Sequence, residues 1–209
     1  MLKVIPGWIV LQSMFNKFLR RNFLMAMLFI CGSVLFSNQL AAKSKKSIQL
    51  KVGDNAPSFA LRNLEGGYVK LSSFCGKYSE KSRNNRSVVI LDFFATWCEP
   101  CIEQMPVIES IHQKYKEKGV KVFLVSNDIE GAKKVLPFVK KSKIAVPVLL
   151  DMYRVVADKY GVDKIPYTFV ISKDGKIAAM YQGKKDNLVF RKELEGKIEE
   201  LLPNRKKQK

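Results

Sequence analysis

Residues 93–106 have the sequence FFATWCEPCIEQMP, in which two cysteines, Cys98 and Cys101, are separated by two residues. The apolar run SVVILDFFA precedes them at residues 87–95, and a helical pattern extends from residue 99 to 118. A nearly continuous apolar run is typical of a strand that is buried on both faces of a parallel sheet. The sequence therefore places the cysteine pair where a buried strand ends and a helix begins.

Several kinds of site use a Cys-x-x-Cys pair, and the neighbouring residues weigh against most of them. A c-type haem site needs a histidine directly after the second cysteine, where this chain has Ile102, so we exclude it. A zinc site takes about four ligands, often from two close pairs, and only Cys75 and His112 could supplement this one. A purely structural disulfide would close too short a loop to stabilise the fold much. Zinc and a structural disulfide stay open as less favoured alternatives.

A redox-active pair agrees best with the start of a helix. The first turn leaves N–H groups without intrahelical partners and lies at the positive end of the helix dipole, which favours a thiolate at Cys98. Pro100 falls in this turn, where its missing N–H costs no hydrogen bond. We expect the Cys98 thiolate to attack a substrate disulfide and Cys101 to resolve the mixed disulfide that forms.

The chain is strongly basic. Its 209 residues include 37 Lys and Arg against 19 Asp and Glu, which gives a net charge of +18. Such a charge attracts anionic partners. The sequence has no zinc-finger, homeodomain or RNA-binding signature, so we expect no nucleic-acid partner. Association with an anionic membrane surface is the alternative that the charge leaves open.

The N-terminal segment has the order of parts that is typical of a secretory signal peptide. A basic cluster at residues 17–21 precedes the apolar run FLMAMLFICGSVLF at residues 23–36, and small residues follow. We predict a signal peptide over residues 1–42, with Met14 as the better-proportioned start. The apolar run is shorter than the roughly 20 residues of a membrane span. An uncleaved anchor is the alternative.

The rest of the chain divides into a basic linker at residues 43–50, one domain at residues 51–203 and a basic tail at residues 204–209. An exported protein meets oxidising conditions, so its thiols tend to pair. The mature chain would contain three cysteines, and the odd number leaves Cys75 without a partner if the other two pair. We expect Cys75 to act as a small buried hydrophobic residue.

Strand and helix patterns alternate along the domain. A Gly-Gly turn joins short runs at residues 57–61 and 68–74, which predicts a β-hairpin. Pro106 should kink the first helix and Pro137 should interrupt the second. The order of elements predicts an α/β domain with a mixed central sheet flanked by helices. After the hairpin, strands are predicted at residues 87–95, 120–126, 146–151, 166–172 and 176–183, and helices at 99–118, 132–143, 154–162 and 186–202.

The motif WCEPC, which follows VVILDFFAT, resembles the active-site motif of the thioredoxin superfamily. Two further segments, GDNAPSFALRNLEGGYVKLSSF upstream and GVDKIPYTFVISKDGKIAAMYQG downstream, resemble its exported TlpA/ResA-like branch of thiol–disulfide oxidoreductases. The resemblance extends over about residues 51–200. It implies a thioredoxin-like fold with an N-terminal β-hairpin. It also implies an enzyme with no cofactor beyond a redox-active disulfide between Cys98 and Cys101.

The same resemblance implies roles for residues around the pair. Pro166 matches the family's cis-proline, and the backbone of Ile165 before it would bind an extended substrate peptide. Trp97 matches an exposed aromatic residue beside the nucleophile. Asp92 matches a buried acid that transfers a proton at the resolving cysteine. The alternatives are an ordinary strand-start proline, a tryptophan that simply packs, and a carboxylate that faces water.

The chain departs from the exported branch in the placing of its acid. Members of that branch often have Asn in place of Asp92 and Glu in place of Gln104, so the acid here stands in the strand instead. Glu99 resembles the acidic residue of the CEPC motif in cytochrome-maturation reductases. Its charge would oppose thiolate formation and, with Pro100, keep the reduction potential low. A solvated acid favoured by the helix dipole is the alternative for Glu99.

His112 is the only histidine. The helical pattern puts it on one face with Ile102, Met105 and Ile108, so we expect this face to be buried and His112 to be structural.

These observations predict an extracytoplasmic thiol–disulfide oxidoreductase, periplasmic or membrane-associated, that reduces protein disulfides. The resemblance implies apocytochrome c as one substrate class and a membrane thiol donor as the electron source. A thiol peroxidase is an alternative, although Ala95 stands where a peroxidatic loop usually has Thr or Ser. A non-catalytic binding module is another, although such a module would not need the cysteine pair and Asp92.

Overall fold

The structure is a computed structural model that describes residues 49–79 and 85–202. The predicted signal peptide, most of the predicted linker and the basic tail lie outside these residues, so the predictions made for them stay predictions. None of the helices in the described ranges has both the length and the apolar character that crossing a membrane requires.

Seven strands form one sheet in the described residues, in the order β2-β1-β5-β4-β3-β6-β7. The strand β4 is parallel to both of its neighbours, β3 and β5, and all other pairs are antiparallel. The predicted mixed sheet and the predicted hairpin, β1–β2, are therefore confirmed. The strands are β1 Ala60–Asn63, β2 Tyr68–Lys70, β3 Val88–Phe94, β4 Val120–Ser126, β5 Val148–Leu150, β6 Tyr167–Ile171 and β7 Ile177–Gln182.

Helices cover both faces of this sheet. They are α1 Glu99–Tyr115, α2 Ala132–Lys141, α3 Val155–Lys159 and α4 Asn187–Leu201. Side chains of α1, α2 and α4 share one hydrophobic cluster, and side chains of α3 belong to the cluster on the opposite face. The crossovers β3–α1–β4 and β4–α2–β5 step in the same direction along the sheet, so right-handed connections put α1 and α2 on one side.

The central strand β3 supplies both clusters. All seven of its residues are buried, and successive side chains point to opposite faces. Val88, Ile90 and Phe94 pack into the cluster that contains both active-site cysteines, whereas Val89 and Leu91 pack into the other cluster. This alternation places Asp92 on the face that α1 covers.

The hairpin is shorter than its sequence pattern predicts. The second run stops pairing at Lys70, and Leu71–Ser73 forms a 3-10 turn instead. The backbone N–H groups of Phe74 and Cys75 donate to the Leu71 carbonyl at 3.0 and 3.2 Å. Leu71 is buried in this turn, and its N–H still donates to the Phe59 carbonyl at 3.2 Å, so the chain turns away from the sheet edge only after Leu71.

The prediction that Pro137 interrupts α2 is wrong. The helix is continuous from Ala132 to Lys141, and Pro137 is exposed on its outer side. The ring removes one backbone hydrogen bond, but the carbonyl that is left free can bind water there. On the inner side of α2, Val135 is buried in the core, and Phe138 contacts Phe94 of β3 with ring centroids 6.2 Å apart. This packing holds the helix together across the proline.

The predicted buried face of α1 also needs correction. Ile102 is 39 % exposed, whereas Cys101, Met105 and Ile108 are buried. Residues advance by about 100° per position around a helix. Since Cys101 faces the sheet, its neighbour Ile102 is turned toward solvent. The helix continues through Pro106 and ends at Tyr115, three residues before the predicted end.

Candidate active site

The cysteine pair forms a disulfide at the N-terminus of α1. The two Sγ atoms lie 2.04 Å apart. Cys98 is the N-cap residue, and its Sγ accepts a hydrogen bond from the Cys101 N–H at 3.3 Å. Cys98 is 5 % exposed and Cys101 is 1 % exposed, so Cys98 is the sulfur nearer to solvent. A thiolate at Cys98 would face the free N–H groups and the positive dipole end of the 17-residue helix.

The residues next to the pair are exposed. Trp97 is 71 % exposed, and Glu99 and Pro100 are exposed as well. The exposure of Trp97 excludes the alternative that this side chain simply packs in the core. A large exposed aromatic side chain is a common feature of surfaces that bind another molecule.

The turn before the pair is held by Asp128, which the sequence analysis did not single out. Its carboxylate accepts hydrogen bonds from the Thr96 N–H at 2.9 Å, the Thr96 hydroxyl at 2.6 Å and the Ser126 hydroxyl at 2.8 Å. Asp128 is buried although it lies in the polar sequence SND after β4. The sequence offers no signal for this contact, because Thr96 and Asp128 meet only through the parallel pairing of β3 and β4.

Asp92 is buried in β3, on the face of the sheet that carries the cysteines and α1. It is 1 % exposed, which excludes the alternative that its carboxylate faces water. Burial raises the pKa of Asp92 to about 7, and a hydrogen bond from Thr168 opposes part of that rise. The position on the α1 face and the raised pKa are what a proton acceptor for Cys101 requires. Its role in proton transfer stays a prediction.

Thr168 is a second residue that sequence reasoning missed. Its Oγ1 donates a 2.6 Å hydrogen bond to Asp92 Oδ1, and the two residues lie opposite each other in the β3–β6 pair. A single threonine within the largely apolar run YTFVI is a weak signal for a buried polar contact. Only the register of the two strands shows which group it meets.

Pro166 lies at the same end of the sheet as the cysteines. Phe93 pairs with Tyr167, so Pro166 stands one step further along, where β3 ends. The Ile165–Pro166 peptide bond is cis, and the Pro166 carbonyl accepts a hydrogen bond from the Gly183 N–H at 2.8 Å. Ile165 is half-buried and precedes β6. The substrate-binding role of both residues stays a prediction.

Gln104 connects α1 to the loop before α4. The residue is buried, and its Oε1 accepts a hydrogen bond from the Lys185 N–H at 3.3 Å. Close by, the Asn187 side chain donates to the Glu103 carbonyl at 3.1 Å, and Lys184 forms an ion pair with the Glu103 carboxylate. The side-chain amide of Gln104 thus bonds to the backbone of the loop before α4. The buried acid of this site is Asp92, in β3.

Cys75 and His112 lie away from these groups. Cys75 is buried in the cluster on the other face of the sheet, so the sheet separates it from Cys98 and Cys101. Burial raises the pKa of the Cys75 thiol to about 12. His112 is half-buried in α1, and burial lowers its pKa. Within residues 49–79 and 85–202, no three His, Cys, Asp or Glu side chains cluster as a metal site would require.

Comparison with known proteins agrees with this geometry. A sequence model of the AhpC/TSA family matches residues 52–180. The thiol-disulfide oxidoreductase ResA of Bacillus thuringiensis subsp. konkukian is 32 % identical over 177 residues, which cover 85 % of this chain and 93 % of that protein. This chain belongs to the AhpC/TSA family, among the thiol–disulfide oxidoreductases of ResA type. ResA of Bacillus subtilis is 31 % identical over 166 residues, which cover 79 % of this chain and 84 % of ResA.

Solved structures of other thiol–disulfide oxidoreductases have the same architecture. A thiol:disulfide interchange protein of DsbE type from Chlorobium tepidum is 32 % identical to this chain, with a TM-score of 0.64. The match covers 74 % of this chain and 100 % of that one. The predicted thioredoxin-like fold is therefore confirmed.

Proposed function

We propose that this protein exchanges thiols and disulfides with protein substrates, with Cys98 as the nucleophile and Cys101 as the resolving cysteine. The observation that supports this most directly is the Cys98–Cys101 disulfide at the start of α1, with Asp92 buried on the same face of the sheet. In the reduced enzyme, the Cys98 thiolate attacks one sulfur of a substrate disulfide. An S–S bond forms to Cys98, and the other substrate sulfur leaves as a thiolate and takes up a proton.

The second step needs a base. Cys101 attacks Cys98 Sγ as a thiolate, so the Cys101 proton must leave first. We propose that the Asp92 carboxylate accepts it, because a pKa of about 7 lets Asp92 hold or release a proton near neutral pH. The enzyme disulfide then forms, the second substrate sulfur departs as a thiolate, and two electrons have passed to the substrate.

Trp97, Ile165 and Pro166 are the proposed contacts for the substrate. Trp97 offers exposed apolar area beside Cys98. Ile165 lies outside β6, and its N–H and carbonyl take part in none of the backbone hydrogen bonds that join the described turns and loops. An extended peptide could pair with these groups as an added strand.

The proposed direction is reduction of the substrate. Glu99 puts a negative charge beside Cys98, which disfavours the thiolate and so disfavours the reduced form. Equilibration with glutathione or thioredoxin buffers measures the potential of the pair, and we expect about −270 mV, the thioredoxin value. A value above about −180 mV, that of protein disulfide isomerase, would indicate an oxidase or isomerase instead.

Export and the physiological partners are proposals that rest on the N-terminal segment and on the relatives. The relatives in question are the ResA proteins, and the solved neighbour is the DsbE-type protein from Chlorobium tepidum. We propose an extracytoplasmic site of action, apocytochrome c as one substrate class, a membrane thiol donor and contact with an anionic membrane surface. Mass spectrometry of the exported chain should find a first residue near Lys43; an intact segment would favour an anchor.

A further inference from the structure

We propose that Thr168 is a positioning residue for the resolving step: its hydroxyl holds Asp92 Oδ1 and sets the pH at which Asp92 accepts the Cys101 proton. This inference rests on the proposed role of Asp92 as the base. It adds to the site a residue that belongs neither to the cysteine motif nor to the cis-proline segment Ile165–Pro166.

The contact is fixed by the strands that bear it. Asp92 and Thr168 are a register pair of two adjacent central strands, and their side chains lie on the face of the sheet that α1 covers. Both are fully buried, at 1 % and 0 % exposure, and the Oγ1–Oδ1 distance is 2.6 Å. In the part of the chain that the structure describes, no other side chain hydrogen-bonds the Asp92 carboxylate.

A hydroxyl is well suited to this position. It donates to the carboxylate, and after rotation about its C–O bond it can accept from the protonated carboxyl. Because it engages Oδ1, the second carboxylate oxygen is left for the Cys101 proton. The hydrogen bond favours the charged form and opposes the effect of burial. Without it, Asp92 would stay protonated to higher pH and would be a base over a narrower range.

Few other charges act on Asp92. Its neighbour in β4 is Leu124, and the buried residues of α1 nearest the cysteines are Gln104 and Met105, which do not titrate. No charged side chain of β4, β6 or α1 contributes to its pKa. Tyr115 and Tyr181 also lie on this face, and burial raises their pKa values above the ordinary tyrosine value, so both stay uncharged in the assay range. The thiols of Cys98 and Cys101 titrate in the reduced enzyme, so the assay must isolate the step after the attack by Cys98.

The resolving step can be followed alone by a pH jump. A mixed disulfide between Cys98 and thionitrobenzoate is formed at pH 4, and stopped-flow mixing to pH 5–9 then releases the chromophore when Cys101 attacks. We expect Thr168→Val to shift the Asp92-dependent limb of the rate profile upward by about one pH unit. Thr168→Ser, which keeps the hydroxyl, should retain the wild-type midpoint.

The controls separate this inference from the role of Asp92. In the Asp92→Asn variant, the resolving rate should lose the part of its pH dependence that Asp92 causes. Adding Thr168→Val to this variant should then cause no further shift. If Asp92→Asn leaves the profile unchanged, the proposed base is wrong. If Asp92→Asn flattens it but Thr168→Val has no effect, or slows the reaction equally at every pH, the inference is overturned and the base stands. Thr168→Ala serves as a second hydroxyl-free variant if the valine variant does not fold.

Discussion

At the scale of single residues, the two cysteines differ because of where they stand on α1. Cys98 is the N-cap, next to the exposed Trp97, whereas Cys101 lies one turn inside the helix and is almost fully buried. A substrate disulfide can approach from the solvent side only, so the outer sulfur should attack and the inner sulfur should resolve. The exposed neighbours and the helix dipole act on the same atom, Cys98 Sγ.

This asymmetry predicts different outcomes for the two serine variants. Cys101→Ser should accumulate mixed disulfides with protein substrates, because attack continues and resolution is lost. Cys98→Ser should abolish disulfide reduction and trap nothing. Non-reducing gels and mass spectrometry measure both, and Cys75→Ser is the control because Cys75 lies across the sheet. Trapping by Cys98→Ser but not by Cys101→Ser would reverse the assignment. Peroxide turnover that needs Cys98 but not Cys101 would instead support a thiol peroxidase.

At the scale of elements, the junction between β3 and α1 is held in place by a residue of the neighbouring β4–α2 loop, Asp128. Three hydrogen bonds end on the Asp128 carboxylate, and two of them come from Thr96, two residues before Cys98. The turn that presents Trp97 and Cys98 therefore depends on the parallel pairing of β3 with β4 as well as on its own sequence.

We expect Asp128→Ala to destabilise the oxidised protein by about 1–3 kcal/mol, because the Thr96 N–H and the Ser126 hydroxyl lose their acceptor in a mostly buried site. Urea unfolding at pH 7 measures the change. Asp163→Ala is the matched control: Asp163 accepts one hydrogen bond, from Gln182 at 2.7 Å, on an exposed surface. Its loss should cost no more than about 0.5 kcal/mol. Equal losses in the two variants would contradict the role of Asp128.

At the scale of the whole molecule, the buried Asp92 links the redox site to the stability of the fold. Its pKa is about 7 in the folded chain and 3.8 ordinarily. Between these values the folded protein holds a proton that the unfolded chain has released, so the free energy of unfolding falls as the pH rises from about 4 to 7. Above pH 7 the fold contains a buried carboxylate that would be better solvated in the unfolded state.

Asp92→Asn should therefore stabilise the oxidised protein at high pH. We expect a gain of up to about 4 kcal/mol at pH 8, at about 1.4 kcal/mol per pKa unit, and little change at pH 4. Urea unfolding from pH 4 to 8 tests this, with the exposed Asp163→Asn as the control. A stability that depends on pH equally in wild type and Asp92→Asn would show that Asp92 titrates normally.

The order of elements, the mixed sheet and the position of the cysteine pair could all be predicted from the amino-acid sequence alone. Those features follow from local patterns: an apolar run for β3, a helix start after Cys98 and a Gly-Gly turn for the hairpin. Prediction from the sequence failed where packing outweighs local preference. Pro137 was expected to interrupt α2, but the helix continues through it.

Which distant residues support the cysteine site could be learned from the three-dimensional fold and not from the sequence. Thr168 is 76 positions from Asp92, and Asp128 is 32 positions from Thr96. The pairing register of β3 with β6 and with β4 sets both contacts. Hydrogen bonds across strands depend on that register, and a shift of one residue would turn Thr168 to the opposite face. No pattern within the segments themselves contains this information, which is why the cysteines could be predicted and the residues that hold the site together could not.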